Sequence, residues 1–145
     1  MGDGDGYKEG RSFVFRLPHG SDILEFLTGF CAKRKVRAGT VRLIGATSEV
    51  TLGYYDQVSH DYHTRSFRQE MEILSCIGNV SLKGGKPFLH LHASMGDTEL
   101  RVWGGHLFPG SKVFSAEACV TELLGPELSR KQDPQTGLHL WSCPA

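Results

Sequence analysis

Two hydrophobic patterns follow one another near the start of the chain. Residues 12–17 are rich in β-forming side chains and are closed by Pro18-His19-Gly20, so they predict a strand. Asp22 then stands where a helix N-cap belongs, with Glu25 three residues later, as in a capping box. Apolar residues recur behind it at helical spacing and predict one amphipathic helix: Ile23, Phe26, Leu27, Phe30 and Cys31.

From Gly39 onward the pattern is typical of strands. We expect strands over 40–44, 49–55, 62–67 at a sheet edge, 71–80, 88–94, 99–107 and 138–141. Residues 113–123 alternate in the manner of a strand, although their Ala and Glu content also allows a second helix. The predicted fold class is α+β, a mostly antiparallel β-sheet packed with one or two helices.

Composition and charge narrow the function classes. The 145 residues are enough for one domain, which we expect over 10–142, with a flexible lead-in over 1–9 and a tail over 143–145. Lys+Arg and Asp+Glu both number 16, so the total charge gives no reason to expect direct binding to DNA or to an anionic membrane. No apolar run reaches about 20 residues, and the first residues do not resemble a signal peptide. The four cysteines are scattered, which favours reduced thiols in a cytoplasmic protein over disulfides.

The most informative chemistry is a pair of histidines on one predicted strand. His90 and His92 flank Leu91, and alternate residues of a strand point to the same face. Two imidazoles in this arrangement can hold one transition metal, for which a third ligand is needed. His106, on the next predicted strand, is the nearest candidate. Three protein ligands would leave a fourth position open to water or a substrate. The alternative is a pair of polar histidines on a solvated or subunit-facing surface.

Whether the loop between these two strands has an odd or an even number of residues decides whether His106 lies on the same face as His90 and His92. With Gly96-Asp97 as the whole hairpin loop, paired residue numbers sum to 193 and His106 lies behind the sheet. With a loop of three or five residues they sum to 194, which places Gly104 opposite His90 and His106 on the same face. A bulge at Gly104-Gly105 has the same effect. The metal hypothesis therefore predicts an odd loop or a bulge.

Other candidates carry weaker signals. A carboxylate could act as a base beside a metal, but a solvated face is the default for each strand glutamate: Glu70, Glu72, Glu99 and Glu117. Surface positions are expected for His19, His60, His63 and His139. Lys33-Arg34-Lys35 complements the helix dipole, with phosphate binding as the alternative. Surface scatter is favoured over a nucleic-acid patch for a last set: Arg65, Arg68, Lys83 and Lys86, with Tyr62 and Phe67.

Four segments carry a family likeness. They are the helix around Ile23–Leu27 with its basic end, the Glu72–Gly78 strand with Phe67 ahead of it, the Leu89–His92 strand and the Val102–Leu107 segment. Over about residues 10–142 the chain resembles a stand-alone PPC domain, the "plants and prokaryotes conserved" domain also called domain of unknown function 296.

The resemblance implies an antiparallel α+β fold and a homotrimer. In plants the domain follows an AT-hook, and this sequence contains no such Arg-Gly-Arg-Pro element, which leaves direct DNA binding weakly supported. The wider superfamily includes acetolactate decarboxylase, whose zinc is held by an H-x-H pair and a later histidine. That likeness implies that His90, His92 and His106 are metal ligands and that the metal is a divalent transition metal, zinc by preference.

Three functions follow as hypotheses. The first is a trimeric metal-binding module with a DNA-binding or regulatory role. The second is a small metal-dependent enzyme, a hydrolase or lyase, that uses a three-histidine site and a small-molecule ligand near the metal. The third is an interaction scaffold without metal. No catalytic residue is assigned from the sequence.

Overall fold

The structure is a computed structural model that describes residues 6–141 of the chain. One helix and eight strands lie in this range. In chain order they are β1 (Lys8–Leu17), α1 (Ile23–Arg34), β2 (Gly39–Asp56), β3 (Asp61–Phe67), β4 (Met71–Lys83), β5 (Lys86–Gly96), β6 (Val102–Leu124), β7 (Arg130–Gln132) and β8 (His139–Trp141). The predicted α+β class with a mostly antiparallel sheet is confirmed.

The main sheet has six strands in the order β1-β6-β5-β4-β2-β3. β2 and β6, 18 and 23 residues long, each reach several neighbours and also pair with each other. That extra pairing closes β2, β4, β5 and β6 into a ring, with β1 added beside β6 and β3 beside β2. β7 and β8 form a separate two-stranded hairpin.

The core lies between the sheet and α1. Asp22 is the N-cap, and its Oδ1 accepts a hydrogen bond from the Glu25 backbone N–H, as the sequence predicts. The helix buries Ile23, Leu27 and Cys31, while Phe30 stacks on Phe15 of β1 with ring centroids 4.3 Å apart. Within the described residues no helix is long and apolar enough to cross a membrane.

Two of the cysteines in the described residues belong to the apolar core. Cys31 and Cys76 are buried, and burial raises the pKa of these thiols to about 11 and about 12. Cys119 is half-buried, and Cys143 lies outside the described residues. The two fully buried thiols are therefore protonated core side chains, not nucleophiles.

The bounds of β1 and β6 differ from the sequence-based expectation, and the structure decides one alternative that the sequence left open. β1 begins at Lys8, so its first two residues fall inside the predicted lead-in, of which Met1–Asp5 lie outside the described residues, as does the predicted tail. Residues 113–123 are a strand, continuous with the segment before them in β6. β6 begins at Val102 and not at Glu99, because the loop before it is longer than its residue types suggest.

That loop spans residues 97–101 and is organised by Asp97. The backbone N–H groups of Glu99 and Arg101 donate to Asp97 Oδ1, and Trp103 Nε1 donates to Asp97 Oδ2. The Trp103 hydrogen bond is the largest cause that lowers the pKa of this carboxyl to about 2, helped by hydrogen bonds from Arg101 and Glu99. The loop has five residues, an odd number, as the metal hypothesis requires.

Candidate metal centre

The structure brings the three predicted histidines together on one face of the sheet. His90 and His92 are alternate residues of β5, and His106 of β6 lies directly opposite His92. One ligand nitrogen from each ring lies within 4.8 Å of the others. The ring centroids are 5.0–5.3 Å apart, and the two Nε2 atoms of His90 and His92 are 3.1 Å apart.

The parity prediction is confirmed but the predicted register is wrong. Paired residues of β5 and β6 sum to 198, since Gly96 opposes Val102. Gly104 therefore lies opposite Ser94 and not opposite His90. His90 has its backbone neighbour on the other side, where Asn79 of β4 opposes it.

The donor set and its spacing fit a divalent transition metal. Tetrahedral coordination with bonds of about 2.0–2.1 Å places ligand nitrogens about 3.3–3.4 Å apart. The 3.1 Å between His90 and His92 is close to that value. His106 Nδ1 is buried and has no hydrogen-bond partner in the described part of the chain. A buried nitrogen without a partner is costly unless something binds it.

Burial keeps two of the rings neutral. Desolvation is the main cause that lowers the pKa of His106 to about 4, with repulsion from His90, His92 and Arg130 adding to it. Desolvation also lowers the pKa of His90, followed by the charges of Arg130 and His92. Neutral imidazole is the form that binds metal, so both groups are prepared for ligation at neutral pH.

A cavity opens beside the histidines because β5 and β6 separate there. The two strands pair only from His92–Gly96 to Val102–His106. Beyond that pair a space of about 560 Å³ remains, and its wall includes His90 and His106. The rest of the wall comes from α1, from further residues of β5 and β6, from the β7–β8 hairpin and from the β2–β3 turn. The aromatic rings of Tyr62 and Phe108 lie about 5 Å from the His106 ring.

The other four histidines lie outside the three-histidine cluster. His19, His60 and His63 are exposed, as expected, whereas His139 is half-buried. His60 and His139 line the cavity. They lie outside the group of rings that could share one metal.

Sequence reasoning missed Arg130, the first residue of β7. Its guanidinium donates to Ser81 Oγ at 2.8 Å, to Asn79 Oδ1 at 2.8 Å and to the His139 carbonyl oxygen at 2.9 Å. The residue is 9% exposed and lines the cavity. No local periodicity distinguishes it from the neighbouring Lys131, so the sequence carries no signal for it.

The other candidates are not part of the cluster. The four glutamates that the sequence predicted on strands are all exposed, and two of them lie outside strands: Glu70, Glu72, Glu99 and Glu117. Arg65 lies over the rings of Phe67 and Trp103, whereas Lys83 lies over Phe88. Lys33 and Arg34 occupy the last turn of α1, where they complement its dipole.

The chain is similar to a known protein family over most of its length. Residues 4–124 match the model of the Plants and Prokaryotes Conserved (PCC) domain, the family written PPC above. The chain belongs to this family. It is also 34% identical over 135 residues to the bifunctional protein GlmU of Synechococcus sp. strain JA-3-3Ab. That alignment takes in 90% of this chain but only 20% of the relative, so the chain spans about a fifth of the relative's length.

Solved structures share the whole fold. A plant- and prokaryote-conserved protein from Pyrococcus horikoshii superposes with a TM-score of 0.91 at 36% identity, covering 94% of each chain. A protein from Archaeoglobus fulgidus described as metal-containing superposes with a TM-score of 0.92 at 37% identity, covering 97% of this chain and 99% of the other. A Bacteroides thetaiotaomicron protein described as a candidate DNA-binding protein has a TM-score of 0.86 at 28% identity, covering 96% of this chain and 97% of the other.

The predicted distant likeness to acetolactate decarboxylase is confirmed at the level of fold. The enzyme from Bacillus subtilis superposes with a TM-score of 0.57 at 12% identity, over 86% of this chain and 57% of the enzyme. At that identity only the fold is shared.

Proposed function

We propose that this chain is a metal-binding PPC module in which His90, His92 and His106 hold one divalent transition metal. The convergence of three imidazole nitrogens within 4.8 Å carries the proposal. A solved relative described as metal-containing, similar over nearly the whole chain, supports it. Zinc is the preferred metal because three imidazoles suit its tetrahedral coordination.

The metal content of protein purified without a histidine tag tests the proposal. We expect about one metal ion per chain in the wild type and less than a tenth of that in His90→Ala/His92→Ala. His63→Ala is the matched control, because this histidine is exposed and lies outside the cluster. Two results would contradict the proposal and favour the scaffold hypothesis: metal-free wild-type protein that takes up no zinc, or a double variant that retains its full metal content.

The cavity favours a metal-dependent enzyme as the second candidate. Three protein ligands leave one coordination position open, and a space of about 560 Å³ adjoins them. A hydrolase or lyase needs that arrangement, whereas a structural metal site is closed by four protein ligands. A screen of the zinc-loaded protein against small esters, amides and 2-oxo acids tests this candidate. Turnover that is absent from His106→Ala supports it, and no turnover of any compound counts against it.

A row of side chains on the outside of the sheet, called the outer row, supports a homotrimer. Val14, Cys119, Arg42 and Ile77 are successive cross-strand neighbours that end at His92. Val14 is 79% exposed and Ile77 is 56% exposed. These two exposed apolar residues flank Cys119 and the exposed Arg42. Exposed apolar side chains on one sheet face favour an interaction surface, and copies of the chain are the partner that the family resemblance implies.

A DNA-binding or regulatory role rests on the description of the Bacteroides relative. A net charge of zero gives little attraction to the phosphate backbone, so we expect DNA to be reached through a partner protein. An A·T-rich duplex mixed with the purified protein at low salt should show no retardation. Retardation that disappears steeply with added salt would instead establish direct binding.

A further inference from the structure

We infer that Arg130 is the anchor of a subsite for the carboxylate group of a small ligand, beside the three histidines. The inference rests on the metal site proposed above, because the ligand would occupy the same cavity. Three features of Arg130 carry it: its neutral partners, its rigid setting with N–H groups still to offer, and its position beside the histidines.

In the part of the chain that the structure describes, all partners of Arg130 are neutral. Its guanidinium donates to a serine hydroxyl, an asparagine side-chain oxygen and a backbone carbonyl. Within the described residues no carboxylate lies in ion-pair distance of it. A buried cation without a counter-ion is costly, and proteins seldom keep one unless an anion is bound in use.

The guanidinium is held rigidly and still has donors to offer. The rings of Phe88 and Trp141 each lie 5.3 Å from its central carbon, and the three hydrogen bonds fix its plane. Of its five N–H groups, one on each terminal nitrogen has no acceptor in the described part of the chain. Two N–H groups on the two terminal nitrogens are what a bidentate carboxylate accepts.

The position of Arg130 couples it to the histidines. Asn79, which accepts its hydrogen bond, is the cross-strand neighbour of His90. Arg130, His90 and His106 all line the one cavity. A ligand with a carboxylate on Arg130 could therefore direct a second polar group towards the metal.

The remaining walls select the class of ligand. Phe88, Phe108, Tyr62 and Leu138 give the cavity a largely apolar lining. Lys83 is a further cation on the lining, and it lies over the Phe88 ring. A space of about 560 Å³ suits a small molecule. A monocarboxylate with an apolar or aromatic body matches these walls better than inorganic phosphate, a dianion that would need more donors than the guanidinium has left.

Binding of matched probes to zinc-loaded, untagged protein tests the inference. Benzoate, its uncharged isostere benzamide and inorganic phosphate are titrated by calorimetry. We expect benzoate to bind at least tenfold more tightly than benzamide and more tightly than phosphate. In Arg130→Gln this preference for benzoate should fall at least tenfold, while Arg37→Gln, an exposed arginine paired with Glu127, should leave it unchanged.

The design separates the two proposals. Arg130→Gln should keep its zinc, because Arg130 is not a ligand, and His90→Ala/His92→Ala should lose zinc yet still prefer benzoate to benzamide. Arg130→Lys keeps the charge without the planar fork, so its preference for benzoate over benzamide should fall at least threefold. This variant replaces Arg130→Gln in the test if the glutamine variant does not fold. Equal binding of benzoate and benzamide, tighter binding of phosphate, or an unchanged preference in both Arg130 variants would overturn the inference whatever the metal content.

Discussion

Gly78 of β4 and His90 of β5 are in direct backbone contact, so close that a Cβ atom on residue 78 would overlap the His90 carbonyl oxygen. The strand pairing places Gly78 opposite Leu91 and Asn79 opposite His90. The position of the first histidine therefore depends on a residue that has no side chain.

Replacing Gly78 by Ala should move β5 and with it His90. Because the obstacle is backbone and cannot rotate away, we expect a loss of about 2 kcal/mol or more in the free energy of unfolding. Zinc affinity should fall at least tenfold. Gly29→Ala is the control: nothing lies within 4 Å of its Cβ position on the helix, so it should gain about 0.5–1 kcal/mol. Urea unfolding and a zinc competition assay measure both, and wild-type zinc affinity in Gly78→Ala would contradict the positioning role.

The metal-free protein should lose stability in mild acid because of His106. Its pKa is lowered from 6.5 to about 4, so between these values the unfolded chain binds the proton more readily than the folded one. The contribution is complete above pH 6.5 and is lost as the pH falls towards 4, by roughly 2–3 kcal/mol. In His106→Gln the slope over this range should be shallower. Parallel pH profiles for wild type and variant, measured by urea unfolding after chelation, would exclude this role.

Asp97 should govern a second acid transition at lower pH. The hydrogen bond from Trp103 is the largest cause that lowers its pKa from 3.8 to about 2. A lowered carboxyl pKa stabilises the fold above about pH 4, and that contribution is lost as the pH falls towards 2. Asp97→Asn should therefore have a lower Tm at pH 7 and a smaller further loss between pH 4 and 2. Glu117→Gln, an exposed carboxylate, should follow the wild-type melting profile at every pH.

The oligomer should depend on the outer row beside His92. Ile77→Lys places a second cation opposite Arg42 in that row, and we expect the mass in light scattering to fall from about three times 16.0 kDa to one chain. Val58→Lys is the control, since this residue is 95% exposed in the turn between β2 and β3. A trimer that survives Ile77→Lys, or a wild type that is already monomeric, would remove the outer row as the interface.

The strand pair could be predicted because side-chain alternation is a strict geometric rule. His90, His92 and His106 share a face whichever odd loop joins the strands. The register could not be predicted, because it depends on where the loop ends. Glu99 and Arg101 have residue types that are common in strands, but their backbone N–H groups bond to Asp97 instead of to a neighbouring strand.

The burial of Arg130 could not be predicted from the sequence for a different reason. Its burial comes from contacts with Ser81 and Asn79, about 50 residues earlier in the chain, so nothing local in the sequence indicates it. The same holds for the cavity, which exists because two strands separate beyond His92 and His106. The helix, most of the strands and the face could thus be assigned from local patterns, although β7 was not predicted and the predicted strands 40–44 and 49–55 are one strand, β2. The neighbours of the site depend on long-range pairing.

The separation of β5 and β6 divides the site into two parts that can change independently. The three imidazoles stand on strands of the closed ring: His92 and His106 have paired neighbours on both sides, and His90 pairs with β4. β5 and β6 also supply part of the cavity wall, but another part comes from the β7–β8 hairpin, the β2–β3 turn and β3, which lie outside that ring of strands. Members of the family can therefore acquire new ligand preferences by exchanging hairpin residues while the coordination chemistry stays constant.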